Sequence, residues 1–417
     1  MITQELILNS FIILLALAFI IKFSLLALNI SYIKKNKDKV PSEFVEKITI
    51  HEHRKAQDYT VTVQKLGGIK LVISFLLLCF WTLFGGINIL NNLSLNLPES
   101  IIWQGVSFFI LYALIGIIIN IPFELYRHFV IEERFGFNKM TFKIYLTDFL
   151  KQLVLSALIG IPLLYIILNF IQFFPQYWWL YSWAFFIFFQ FVMLWAYPKF
   201  IAPWFNKFSK LENEELTQEI DDLCERCEVN FKDYYVMNAS LRSAHGNAYF
   251  TGFGRNKRIV FFDTLIESLA SQEVISVLAH ELGHFKKKHI LKSLVIAIFS
   301  LFIGFFILGV LFKTPAFYLA FGVENPTPHS ALLLFSLITP IYTFWLTPIG
   351  SWFSRKNEYE ADEFAATHAS ASSLISALIK MYRDNSSTLT PHPWYSKFYF
   401  SHPPALERMK FLEKFNS

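Results

Sequence analysis

Seven apolar blocks dominate the pattern of this 417-residue chain. They run over roughly 6–30, 69–90, 102–123, 152–173, 178–198, 290–312 and 330–350, each near the 20 or so residues that a helix needs to cross a hydrocarbon core of about 30 Å. The first block predicts a span rather than a cleavable signal peptide. It lacks a basic start and a small-residue cleavage site, and its apolar run is too long. Two more polar stretches remain, about 199–289 and 351–417, which divides the chain into 1–198, 199–289, 290–350 and 351–417. In the first polar stretch Leu211 to Glu228 predicts an amphipathic helix, and Asp233 to Met237, Ala248 to Gly254 and Arg258 to Phe262 predict strands, with Gly254-Arg-Asn-Lys257 as a turn. A Thr264-x-x-Glu267 capping box then opens helical sequence that continues through Val274 and Leu278 to His289.

Composition agrees with the pattern. Charged residues make up 17% against about 25% in soluble proteins, hydrophobic residues 54%, and the mean hydropathy is +0.42. The net charge of +5 is too mild to argue for nucleic acid. Where the charges lie matters more. The loop after the first block carries Lys34, Lys35, Lys37, Lys39, Lys47, Arg54, Lys55 and Lys65, and that after the third carries Arg127, Arg134, Lys139, Lys143 and Lys151. The loop 91–100 and the turn around Pro175 carry none, and Lys313 stands alone after the sixth block. Cytoplasmic loops hold the excess of Lys and Arg, so the N-terminus is expected outside and both polar stretches inside. Tyr177, Trp178, Trp179, Tyr181 and Trp183 read as an aromatic belt at the outer face. Of three cysteines, Cys79 falls in an apolar run. Cys224-Glu-Arg-Cys227 has metal or redox spacing but no second ligand pair, and reads as a structural i, i+3 pair whose free thiols fit a reducing compartment.

His280-Glu281-Leu282-Gly283-His284 carries the chemistry. Two imidazoles four residues apart share a helix face and can reach one zinc ion, with Glu281 placed as general base toward a water whose pKa zinc lowers to about 7. A catalytic zinc takes a third protein ligand and keeps an open position. No Asp or Glu occurs from Phe285 to Lys313, and His289, i+5 from His284 beside Lys286, Lys287 and Lys288, reads as a membrane-edge residue off the zinc face. The dense carboxylate group Glu358, Glu360, Asp362 and Glu363 follows the seventh block in the same compartment. Glu358 is therefore the expected third ligand. Asp362, on the same face at i+4, is the expected acceptor for a ligand imidazole, and Glu360 faces away.

These residues resemble the type I CAAX prenyl protease family of polytopic zinc metalloproteases over nearly the whole chain. The likeness rests on His280 to His284, on Ser354-Arg-Lys-Asn-Glu358 with Ala361-Asp362, and on Ser243-Ala-His-Gly-Asn-Ala-Tyr249. Glu132-Glu-Arg-Phe-Gly-Phe-Asn138, Tyr197-Pro198 and Ser401-His-Pro-Pro404 add to it. The resemblance implies one Zn2+ per chain, held by His280, His284 and Glu358. It implies that Asn247 and His402 line the active site and steady the tetrahedral oxyanion, with Arg408 in the same pocket. It also implies a seven-helix barrel around a large hollow chamber, which Asn88, Asn120, Pro122, Glu124 and Gln190 would line unless they are interfacial. The fold class expected is thus an all-α integral membrane protein, a hollow barrel of seven transmembrane helices with a cytoplasmic-side zinc metalloprotease domain containing a small β-sheet.

By resemblance the activity is endoproteolysis that removes the last three residues after a prenylated C-terminal cysteine, or cleavage of other membrane-associated peptides. Partners expected are a peptide or protein substrate and the bilayer, with a monomeric enzyme and no nucleic acid. The setting is multi-pass: a bacterial inner membrane is favoured, since the final Lys414-Phe-Asn-Ser417 is no retrieval signal, and the ER membrane if the source is eukaryotic. Alternatives stay open. An intramembrane-cleaving site-2-type protease would carry its motif inside a span, whereas Gln272, Glu273 and Ser276 precede it here and three lysines follow. A heat-shock membrane protease would have fewer spans. A quality-control protease without prenyl specificity shares the chemistry, and an idle scaffold would not need Glu281. An extended substrate is expected to add as a strand along Ala248 to Gly254.

Overall fold

The computed structural model describes residues 3–95, 100–229, 231, 233–251 and 258–416. Among them seven helices are long and apolar enough to cross a membrane: Gln4–Lys35, Ile50–Leu83, Ile101–Phe135, Phe142–Phe173, Trp178–Phe205, His289–Phe312 and Pro328–His368. Several outrun the apolar blocks. The second starts well before residue 69, because a Thr49–Glu52 capping box begins it in polar sequence. It ends before residue 90, where Gly85 takes φ +76 and a separate short helix Gly86–Leu95 follows. The seventh is a continuous rod of Pro328–Thr343, one tight turn Phe344–Leu346 and Thr347–His368, so Glu358 rides on the extension of a span.

No more than 28% of the most apolar stretch of any span is buried. Helices packed so sparsely expose two faces, one to lipid and one to an interior, which makes the arrangement a hollow barrel. Asn120 and Glu124 line a cavity of about 770 Å³ with His128, Tyr145 and Gln152, as intramembrane polar groups do when they avoid lipid. Asn88 does not join them. Its amide clamps the loop after the sixth span, donating to the Gly322 carbonyl and accepting from the Glu324 amide. The aromatic belt is also thinner than the sequence suggests: Trp178 is fully buried against Phe312, while Tyr177 and Tyr181 remain exposed.

The polar stretches fold together. Strands β1 (Phe208–Lys210), β2 (Asp233–Met237), β3 (Ala248–Thr251) and β4 (Arg258–Phe262) form one sheet in the order β1-β2-β4-β3. The central pair β2–β4 is parallel and the outer pairs are antiparallel, so β3 is an edge. The turn 254–257 and the end of the expected strand Ala248 to Gly254 lie outside the described residues. Cys224 and Cys227 are buried in the core beneath this sheet, and burial pushes the Cys224 thiol up to about 11, away from the reactive thiolate form.

Helical sequence before the His280 motif is not continuous. Asp263–Ser268 is a separate short helix, and Leu269 and Ala270 are extended. The Thr264 hydroxyl, expected to cap, donates instead to the His245 carbonyl. Capping moves to Glu273, which reaches back to the Ala270 amide and opens the helix Ser271–Lys286. That helix is the centre of the core, with every residue from Glu273 to His280 buried. Glu273 also accepts from Ser376 and Lys380 at 2.7 Å each, tying the helix to Ala371–Asp384. Burial alone would raise its pKa, but the Lys380 ammonium, the Ser376 hydroxyl and the Ala270 amide outweigh that and hold it below its usual value.

A carboxylate with a lowered folded pKa contributes stability above its unfolded value of about 4.3, and loses it as pH falls through the folded value. Glu273→Gln is therefore expected to destabilise the detergent-solubilised protein by about 1.5–3 kcal/mol at pH 7. The difference from the parent should vanish at a pH below the folded value, measured as thermal unfolding across pH.

Candidate active site

Two helices build the site by close approach. Within His280-Glu281-Leu282-Gly283-His284, Gly283 faces the rod Thr347–His368, and a Cβ there would meet the Ala361 Cα at 2.9 Å and the Phe364 Cβ at 3.0 Å. Ala361 and Ala365, both fully buried, present small side chains to the same seam. This contact brings the carboxylate of Glu358 to both imidazoles. His280 Nε2 lies 3.5 Å from one Glu358 oxygen, His284 Nε2 lies 3.2 Å from the other, and the two nitrogens are 3.3 Å apart.

A tetrahedral zinc with bonds of about 2.0–2.1 Å has ligand atoms about 3.3–3.4 Å apart. The three separations match that spacing, and two imidazoles plus one carboxylate are a donor set that zinc accepts. Among the described residues this is the one group of His, Cys, Asp and Glu placed to hold a metal. The other face of His280 is held by Asp362, whose Oδ1 is 2.8 Å from Nδ1. Asp362 in turn is gripped by Arg408 through Nε and Nη2, all three groups being buried. Arg408 thus meets the site through Asp362, with Nη2 3.4 Å from His280 Nδ1. Burial would lower the His280 pKa, but Asp362 and Glu358 outweigh it and raise it to about 9.

Glu281, on the turn between the two histidines, is half-buried, and its carboxylate makes no hydrogen bond or ion pair among the described residues. His402 lies within 2.6 Å of Glu358 through Nδ1, leaving its exposed Nε2 free of that bond. The rod positions this segment, since Ser351 donates to the Phe398 carbonyl and Arg355 to those of Ser396 and Phe400. Asn247 is exposed at the start of β3. Its Oδ1 accepts from the Ala248 amide and its carbonyl from the Phe262 amide. Among the described residues its bonds are local to the sheet and none joins it to the histidines.

The end of the motif Glu132 to Asn138 meets the segment Ser243 to Gly246. Asn138 and Ser243 form a β-bridge, and His245 stacks on Phe137 with ring centroids 4.6 Å apart. Asn385 takes the Gly246 amide. The segment leading into Asn247 is thereby docked on the end of the third span. Sequence reasoning set His289 aside, yet it is buried, with Nδ1 3.0 Å from His284 Nδ1 and Nε2 3.1 Å from Glu360. In a continuous helix i+5 points away; here Lys288 takes φ 58, ends the helix and folds His289 back. No sequence signal marks that break, since lysine rarely adopts such a φ.

A family model described as CAAX prenyl protease N-terminal, five membrane helices, matches residues 29–207, and one described as Peptidase family M48 matches 210–416. CAAX prenyl protease 1 of Saccharomyces cerevisiae is 35% identical over 331 residues, covering 75% of this chain and 73% of that protein. The Caenorhabditis elegans homologue is 32% identical over 412 residues, covering 92% of each. The crystal structure of S. mikatae Ste24p superposes with a TM-score of 0.90 at 29% identity, over 99% of this chain and 100% of that one.

The approach at Gly283 leaves no room for a methyl group. Gly283→Ala is expected to separate the two helices, cost about 1–3 kcal/mol of stability and lower bound metal, read by thermal unfolding and metal analysis of the purified protein. An alanine variant with parental stability and metal content would contradict the packing account.

Proposed function

The chain belongs to peptidase family M48, among the multi-pass membrane metallopeptidases of the CAAX prenyl protease 1 type, and on that premise we propose that His280, His284 and Glu358 hold one zinc ion and that Glu281 is the general base of peptide-bond hydrolysis. The observation that carries this reading is the 3.2–3.5 Å convergence of two imidazole nitrogens and a carboxylate from separate polar stretches of the chain.

Zinc held by His280, His284 and Glu358 would supply a Lewis acid and would lower the pKa of a water from 15.7 to about 7. Glu281, with no competing partner, takes the proton of the attacking water and delivers it to the leaving nitrogen. Asn247 has its Oδ1 engaged by the Ala248 amide, which leaves its amide hydrogens to donate to the developing oxyanion. His402 donates its Nδ1–H to Glu358, so only its doubly protonated form carries an Nε2–H for the same oxygen. Asp362 and Arg408 orient His280 and do not meet the substrate.

The edge of β3 suits an extended peptide. Asn247 and Phe262 are opposite each other and bonded, so along the strand Ala248 and Phe250 point their amides away from β4, toward the open edge. A substrate strand paired there would be held by main-chain hydrogen bonds. The substrate class follows the relatives' names: a protein with a prenylated C-terminal cysteine, cleaved to release its last three residues. The asymmetry of Lys and Arg supports a site on the cytoplasmic side.

Glu281→Ala is expected to retain zinc and lose about 10²–10⁴-fold in turnover, measured on matched farnesylated and unmodified peptides. Retained turnover would remove Glu281 as base, and equal rates on both peptides would favour a quality-control protease without prenyl specificity. Phe250→Pro deletes an outward amide without breaking a β3–β4 bond. It is expected to lower kcat/KM about tenfold or more with zinc content unchanged, Phe250→Leu being the control for lost side-chain packing.

A further inference from the structure

Two polar side chains outside the metal group, His289 and Glu360, form a chain that ends on a proposed ligand. His289 Nε2 is 3.1 Å from Glu360 Oε2, and His289 Nδ1 is 3.0 Å from His284 Nδ1. A carboxylate only accepts, so His289 carries its proton on Nε2 and donates it to Glu360. Its Nδ1 is then an acceptor and faces His284 Nδ1. That contact is a hydrogen bond only if His284 carries its proton on Nδ1. The remaining nitrogen of His284, Nε2, then has a bare lone pair, and it is the atom 3.2 Å from Glu358 and 3.3 Å from His280 Nε2.

We propose that Glu360 and His289 form a positioning relay that selects the Nδ1–H tautomer of His284 and aims its Nε2 at the metal. The inference rests on the proposed metal centre and deepens it. His280 has the matching device in Asp362, at 2.8 Å from its Nδ1. Without the relay His284 would be free to place its proton on Nε2 and to rotate, since its ring is only half-buried. Burial of His289 at 4% exposure fixes the relay's middle member, and the left-handed turn at Lys288 puts it there. Partners of metal-bound imidazoles of this kind are worth about 10–100-fold in metal affinity.

The test uses the purified full-length enzyme in detergent, with zinc affinity read by chelator competition and thermal unfolding of the metal-stripped protein read alongside. His289→Ala is expected to weaken zinc about 10–100-fold while the stripped protein unfolds near the parental temperature. His289→Asn, whose amide oxygen accepts where Nδ1 did, should recover most of that affinity, and Glu360→Ala should lose less than His289→Ala. Unchanged zinc affinity in His289→Ala, or equal losses in His289→Ala and His289→Asn with lowered stability of the stripped protein, would overturn the relay. His284→Ala separates the two readings. If it loses zinc while His289→Ala does not, the metal centre stands and the relay falls; if it keeps zinc, the metal centre itself falls.

Discussion

Everything at the site depends on how near two helix axes come at Gly283. Imidazoles at i and i+4 can face a common point from one helix, but a third ligand must arrive from elsewhere. Glu358, proposed for that role, sits on a helix that extends a membrane span, 74 positions along the chain from His284. A glycine opposite Ala361 lets the backbones approach so that a carboxylate of ordinary length bridges the gap. Any side chain at that position moves Glu358 relative to both imidazoles, so the Leu-Gly pair inside the motif is as much a part of the site as the histidines beside it.

That geometry creates a second demand. His280, His289, Glu358 and Asp362 are buried there, and a buried polar atom is costly unless it is satisfied. The far nitrogen of His280 meets Asp362, that of His284 meets His289, and Glu358 takes His402 as well. Three carboxylates on one helix, Glu358, Glu360 and Asp362, serve these ends. Glu360 lies off the face of the other two. It is useful only because His289 comes from the start of the sixth span to meet it.

Much of this was legible in the chain. Apolar runs of spanning length mark the seven membrane helices, since lipid leaves a helix little alternative. The proposed third ligand was reached by elimination, because the sixth span contains no acid and the next dense group of carboxylates follows the seventh, and its carboxylate lies beside both imidazoles. Illegible features share a cause: tertiary contacts override local pattern. Thr49 and Glu52 extend a helix into polar sequence, Trp178 packs inward although its neighbours face the interface, and Asn88 serves a loop more than 230 residues away. The role of His289 was lost for a different reason. Its reading assumed helical geometry through Lys288, and one residue in the left-handed region changes where the next side chain points.

Arg408 and Asp362 show what the arrangement costs in stability. Both are buried and paired through two hydrogen bonds. Such a pair rarely stabilises a fold more than apolar residues of the same volume would, because desolvating two ions offsets their attraction. Its presence at the centre of the core is therefore better explained by what it orients than by what it contributes to folding. The fold compensates nearby, with a fully buried apolar seam at Ala361 and Ala365 and with Glu273 anchoring the same helix to Ser376 and Lys380. The helix that carries the histidines is thus held at its start by a charge pair and in its last turns by close packing. The carboxylates then set the imidazoles against a backbone that cannot easily move away.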